Sequence, residues 1–328
     1  MPALRFLPIV LLALLLAACE GWRKRPGLLE TVGILPPPPT DLSVMSFNIR
    51  YGTAADGPDH WDRRRSLALE AIAARAPDIL GLQEALRFQI DDLRAAFPHY
   101  AETGSGRDDG RSAGEHCTIL FDASRFRLDR SGNFWLSDTP EVPGSASWGN
   151  TITRICSWAR LVELPDQASG PGGRAFLVFN THLDHQSEAA RQRSAELIAS
   201  RILALAGPRE PVILMGDFNC GEDSPALRFL TGRAPRAVDE PGPGPGLTAR
   251  WTGLIDTFRA VNPDEAEVGT FHAFMGTTTG DKIDFILASR EVRVRSASIV
   301  RDQRDGRYPS DHFPVTADLT ISATTAAP

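Results

Sequence analysis

Cysteine is scarce, with four residues in 328, at Cys19, Cys117, Cys156 and Cys220. No two are spaced as a cysteine–zinc site requires, so a zinc ribbon or finger is excluded. Positive charge is also short: 35 Lys and Arg face 41 Asp and Glu, a formal net charge of −6. That balance supplies no bulk field for duplex DNA, although a local basic cleft stays open. The apolar run Phe6–Ala18 stops at 13 residues, short of the roughly 20 that span a bilayer as a helix. No Gly-x-Ser-x-Gly nucleophile turn occurs, which removes the serine-hydrolase reading. Nor is there a short internal repeat or a composition break that would mark a second domain. What remains is an ordinary globular composition, 42% hydrophobic and 23% charged, long enough to bury a large core without cross-links.

The first 40 residues read as export and tethering. Met1–Arg5 holds one arginine, the apolar run follows, and Leu16-Ala17-Ala18-Cys19 ends it. This segment resembles a bacterial lipoprotein signal peptide, residues 1–18, which implies cleavage before Cys19 and lipidation of its sulfur. Glu20, where Asp would signal inner-membrane retention, points to the outer membrane. Residues 19–40 then form a tether that is basic at first and stiffened by Pro36-Pro37-Pro38-Pro39. An exported protein can form disulfides. Cys117 with Cys156 is the pair to test, against three buried free thiols.

From Asp41 to about residue 322 strand and helix signals alternate in a single domain, with 323–328 as a tail. Leu42–Ile49 and Asp78–Leu82 read as buried strands. Trp61–Arg75 reads as a helix with Leu67, Ala68, Ala71 and Ile72 on one face, and Arg87–Phe97 as another. Further strands are expected at 118–121, 126–128, 157–164, 175–180, 211–215, 282–288, 292–300 and 313–321. Helices are expected at 187–206 and 224–230, and a Pro/Gly loop at 240–246. The order suggests an α/β protein with two sheets packed face to face and helices outside.

Chemistry concentrates where these strands end. Val44-Met45-Ser46-Phe47 leads to Asn48; Ile79–Leu82 to Gln83-Glu84; Phe176–Phe179 to Asn180-Thr181-His182; and Val212–Met215 to Gly216-Asp217-Phe218-Asn219. Asp284 sits within another apolar strand, and Ser310-Asp311-His312 precedes the last. One such polar end is a cap or a turn. Six suggest a shared cleft, because rigid strand ends aim side chains. Carboxylates and amides without cysteine pairs make a hard, oxygen-rich site, suited to Mg2+ or Mn2+. Imidazoles beside acids make acid/base pairs near neutral pH. Together they equip a site for attack of water on phosphorus.

In order, Ser46-Phe47-Asn48, Leu82-Gln83-Glu84, Asn180-Thr181-His182-Leu183, Gly216-Asp217-Phe218-Asn219, Ile283-Asp284-Phe285-Ile286 and Ser310-Asp311-His312 resemble the motifs of the exonuclease–endonuclease–phosphatase superfamily. The resemblance spans Asp41 to Ile321 and implies a four-layer α/β/β/α sandwich with two mixed, mostly antiparallel sheets. It implies Glu84 as the main metal ligand with Asn48 beside it, and Asp311 as a second metal or water contact. Asp217 would activate water and Asn219 would donate to a phosphate oxygen. His312 held by Asp284, and His182 paired with Glu115, would be acid/base couples. Arg154 resembles a phosphate-binding arginine, and His272, in Gly269-Thr270-Phe271-His272, is placed in or beside the substrate cleft. The chain departs from repair endonucleases at Arg50, where they carry an aspartate, and this counts against abasic-site repair. The expected activity is hydrolysis of a phosphodiester by a monomeric, membrane-anchored enzyme of the cell envelope. Single-stranded nucleic acid, a nucleotide or a phospholipid head group is the candidate substrate. Phosphomonoesterase or sphingomyelinase-like action, and an inactive binding module, are the alternatives.

Overall fold

The computed structural model describes residues 39–165, 173–233 and 245–322. Cys19, most of the tether, the C-terminal tail and residues 240–244 of the expected loop lie outside these. Among the described residues twelve strands form two six-stranded sheets. The first has the order β11-β12-β1-β2-β4-β3, with β1 Thr40–Asn48, β2 Ile79–Gln83, β3 Tyr100–Thr103, β4 Ile119–Asp122, β11 Val292–Ile299 and β12 Val315–Ile321. The second has the order β5-β6-β7-β8-β10-β9, with β5 Phe126–Trp135, β6 Ile155–Glu163, β7 Ala175–His182, β8 Val212–Asp217, β9 Ile255–Asp256 and β10 Asp284–Ala288. Only β1–β2 and β7–β8 pair in parallel; every other pairing is antiparallel.

Alternation along the strands builds the layers, since successive side chains take opposite faces. Leu42 and Val44 of β1, Ile79 of β2, Phe176 and Val178 of β7, Ile213 and Met215 of β8, and Ile286 of β10 meet in the core between the sheets. The intervening residues of the first sheet, Met45, Phe47, Leu80 and Leu82, pack beneath the helices Trp61–Arg75 and Arg87–Ala96. Those of the second, Leu177, Phe179, Leu214 and Leu287, pack on Ile198 and Ile202 of the helix Glu188–Leu205. The result is a four-layer α/β/β/α sandwich.

Helix ends follow local chemistry. Ser187 and Ser224 accept hydrogen bonds from the backbone N–H of Ala190 and Leu227, capping the helices that start at Glu188 and Pro225. Ala76 turns left-handed ahead of Pro77 and ends the helix Trp61–Arg75.

Two expectations are corrected. Residues 126–128 are only the start of β5, which runs to Trp135 as an edge strand with an exposed polar middle and therefore shows no apolar pattern. Pro245 and Gly246 open a short helix, Pro245–Arg250, rather than closing a loop. Of the two readings of the cysteines, the buried free thiols hold at Cys117, Cys156 and Cys220.

Candidate functional site

The inter-sheet face of each central strand is apolar at one end and polar at the other. Along β1 it reads Leu42, Val44, Ser46, Asn48; along β7, Phe176, Val178, Asn180, His182; along β8, Ile213, Met215, Asp217. Pairing aligns the polar ends: Asn48 stands opposite Gln83, His182 opposite Asp217, and Asp217 opposite Asp284. The core between the sheets thus gives way to a polar cleft at a single end of the sandwich. Gln83 donates to the Asn180 Oδ1 at 2.7 Å, and Asn180 donates to the carbonyls of Leu82 and Thr118, so buried amides tie the sheets together there.

At that end Arg50, Glu84 and Asn219 adopt left-handed backbone conformations with φ of 57°, 59° and 49°. Non-glycine residues there cost about 1–3 kcal/mol each, and such strain collects where side chains must be aimed. Gly216, with φ of 148°, brings β8 against β7: a Cβ there would stand 2.0 Å from the Thr181 carbonyl oxygen.

Asn48 is the hub. Its Nδ2 donates to Glu84 Oε1 at 3.1 Å and to Asp217 Oδ2 at 2.9 Å, and lies 3.5 Å from His312 Nε2. The Asn48 Oδ1 accepts from the Arg50 N–H at 3.0 Å, so in this arrangement Asn48 offers the cleft N–H donors rather than an oxygen ligand. The Tyr51 N–H holds the other Glu84 oxygen at 3.1 Å. His312 Nδ1 meets Asp284 Oδ2 at 2.8 Å, and its Nε2 is 3.8 Å from Asp217. His182 Nε2 lies 3.5 Å from the same Asp217 oxygen.

The two imidazoles are driven apart in charge. Burial pulls His312 down, but Asp284 and Asp217 outweigh it and hold the ring well above its ordinary value. Burial, followed by the guanidiniums of Arg154 and Arg107, pushes His182 well below it. Burial, reinforced by Asp284, raises the Asp217 carboxyl above the usual carboxylate range.

Glu84, His182 and Asp217 bring one ligand atom each within 4.8 Å of one another, and so do Asp217, Asp284 and His312. The first group fits a hard divalent cation, because two carboxylate oxygens and an imidazole nitrogen converge there. The second is already closed by the His312–Asp284 hydrogen bond and carries a charged imidazole, so it suits proton handling. Asp311 stands beyond Arg50, whose guanidinium lies 3.9 Å from Glu84 and 3.7 Å from Asp311 and is held by Asp56 at 3.0 Å.

Beside Glu84 and His182 a small recess is lined by Arg107, Glu115 and Arg154. Glu115 comes no nearer than 3.9 Å to His182; it is turned onto Arg107, which grips it through two bonds of 2.6 and 2.8 Å. Arg107 was missed by sequence reasoning, since Gly106-Arg107-Asp108 carries no pattern. Its carbonyl accepts from the Trp135 indole, which gives Trp135 a supporting place beneath the recess. Arg154 is 4% exposed, donates to His185 Nδ1 at 2.9 Å and lies 3.8 Å from Asp184. The Asn219 side chain donates to the Leu183 carbonyl, leaving one N–H free of that bond. His272 is buried against Phe313 and Tyr308, and reaches the cleft only through its N–H to the Asp311 carbonyl. The exposed ring of its neighbour Phe271 stands 5.1 Å from His312 instead.

A profile of the endonuclease/exonuclease/phosphatase family matches residues 45–312, from the middle of β1 to the cleft histidine. The chain belongs to this family. A family protein from Bacteroides vulgatus is 32% identical with a TM-score of 0.74, over 86% of this chain and 100% of its own. A mannosyl-6-phosphatase of Bacteroides thetaiotaomicron is 32% identical with a TM-score of 0.70, over 85% and 99%. Nocturnin from Rattus norvegicus is 23% identical over 315 residues, 86% of this chain but 66% of nocturnin, so the chain spans just under two thirds of that relative. As a family member the protein is a phosphoester hydrolase. Family enzymes are generally dependent on a divalent metal, and the Glu84 group is a site such an ion would fit.

Proposed function

We propose that this protein hydrolyses phosphoesters with Mg2+ or Mn2+, and that its substrate presents a compact terminal phosphate. The observation that carries this reading is Asn48, which holds Glu84 and Asp217 apart by one amide group with His312 beside them. Glu84 would hold the ion, with Asp217 and His182 close by; when bound there, a divalent ion would supply Lewis acidity to a phosphoryl oxygen. Asp217, its basicity raised by burial, takes the proton from the attacking water. The water oxygen forms its bond to phosphorus as the ester P–O bond breaks. His312, kept charged by Asp284, gives its proton to the departing oxygen. Arg154 binds phosphoryl oxygens in the recess; Arg107 adds positive charge while holding Glu115.

Arg154 lines the recess beside Glu84 and His182, where its guanidinium would meet a terminal phosphate. This moves phosphomonoester hydrolysis ahead of the phosphodiesterase reading, and the likeness to a mannosyl-6-phosphatase supports a sugar phosphate. The test is a panel of mannose 6-phosphate, p-nitrophenyl phosphate, bis-p-nitrophenyl phosphate, single-stranded DNA and sphingomyelin, with each metal. Monoesters should release phosphate fastest. Faster diester cleavage would reverse the ranking, and no turnover at all would end the hydrolytic reading.

We also propose that the chain is exported and anchored through Cys19, on the support of its N-terminal sequence alone. Metabolic labelling with a radioactive fatty acid should mark the full chain and be lost in Cys19→Ala. Equal labelling of both would refute the anchor.

A further inference from the structure

Arg64, in the helix Trp61–Arg75, is 0% exposed, yet its hydrogen bonds all go to main-chain carbonyls rather than to an acid. Nε donates to Asp59 O at 2.8 Å, Nη1 to Ile49 O at 2.7 Å and Pro309 O at 2.9 Å, and Nη2 to Arg50 O at 3.0 Å. The rings of Trp61 and Phe274 flank the guanidinium at 5.1 and 5.6 Å. Burying a cation without an ionic partner is expensive, so the return must lie in what those carbonyls do.

A peptide group is planar, and fixing its C=O also fixes the N–H of the next residue. The Ile49 carbonyl shares its plane with the Arg50 N–H, which holds Asn48 Oδ1. The Arg50 carbonyl shares its plane with the Tyr51 N–H, which holds Glu84 Oε2. Donors on one side of a peptide also polarise the bond made on the other. Pro309 leads directly into Ser310-Asp311-His312, and Ser310 Oγ donates to the Asn48 carbonyl at 2.7 Å. One guanidinium therefore joins the carbonyls of Ile49 and Arg50 to that of Pro309, at the first and last cleft motifs.

We infer that Arg64 is a positioning residue: from behind the cleft it sets the two peptide planes that aim Asn48 and Glu84, and locks them to the segment bearing Asp311 and His312. It touches neither substrate nor reacting atoms. Lysine retains the charge but has a compact ammonium that cannot hold this planar fork of acceptors; methionine fills the stem and removes the charge.

The experiment compares full-length wild type, Arg64→Lys and Arg64→Met. Mn2+ binding is followed by calorimetry, steady-state kinetics use the best phosphoester of the panel, and folding is checked by circular dichroism. Folded Arg64→Lys should bind Mn2+ about 5-fold or more weakly and lose roughly 10-fold or more in kcat, with KM within about 3-fold, as supporting residues of metal sites do. A folded variant that keeps both Mn2+ affinity and kcat within about 2-fold overturns the inference, even if its Tm falls. Failure of both variants to fold also overturns it, since Arg64 would then serve the fold rather than the site. The kinetic arm rests on the hydrolase reading. If wild type turns over nothing, that reading fails while the Mn2+ arm still decides the role of Arg64.

Discussion

Asn48 has two amide hydrogens and spends them on two acids, Glu84 and Asp217, which would otherwise repel each other across the cleft. Asn48→Ala should therefore lower kcat by roughly 100-fold and weaken Mn2+ binding; steady-state kinetics and calorimetry measure the two effects. At His312 the folded-state pKa is raised, so its stabilising linkage is complete below the unfolded value of about 6.5 and fades as pH climbs through the raised one. Asp284→Asn should accordingly lose most stability near pH 6, and its gap from wild type should narrow in alkaline buffer; urea unfolding across pH reads this, and a constant gap would contradict it. At this scale the sequence was informative wherever a polar residue ended an apolar strand: Asn48, Glu84, His182, Asp217, Asp284 and His312 all reach one cleft. Arg107 was illegible, because an arginine in a loop looks solvated until its neighbours in space are known; Arg64 was legible only as an arginine on the face of its helix opposite the apolar one.

The strands turn a two-residue alternation into a division of labour. Their inter-sheet positions are apolar where the sandwich must be dry and polar where it opens, so stability and chemistry share the same strands. Ile213→Ala, two strand positions from Met215 in the inter-sheet core, should cost about 2–5 kcal/mol in denaturant unfolding. Gly216→Ala should instead disturb activity first, since its Cβ would push β8 off β7 beside Asp217 and His182. A normal kcat in Gly216→Ala would show that the strand spacing there is unimportant. Elements were legible in proportion to their burial. The central strands β2, β7, β8 and β10 carry apolar runs and β1 apolar residues on both faces, whereas β5 lies exposed along its middle and Tyr100–Thr103, Ile255–Asp256 and Thr257–Val261 are too short to show a period.

Across the whole molecule the acid excess argues against a polyanionic duplex as substrate. A 30-base-pair DNA should show no retention in a mobility-shift assay at physiological salt, and salt-sensitive retention would reveal a basic groove that the net charge of −6 hides. No helix among the described residues is long and apolar enough to cross a membrane, and the four-layer order followed from strand and helix alternation together with the family resemblance.

β1 enters at Thr40 and delivers Asn48 at its far end, eight residue steps later. At about 3.3 Å per step that is roughly 26 Å of extended chain. A slip of β1 by a single residue against its neighbours would turn Asn48 onto the opposite face and empty the hub of the cleft, with a strand of the same length still in place.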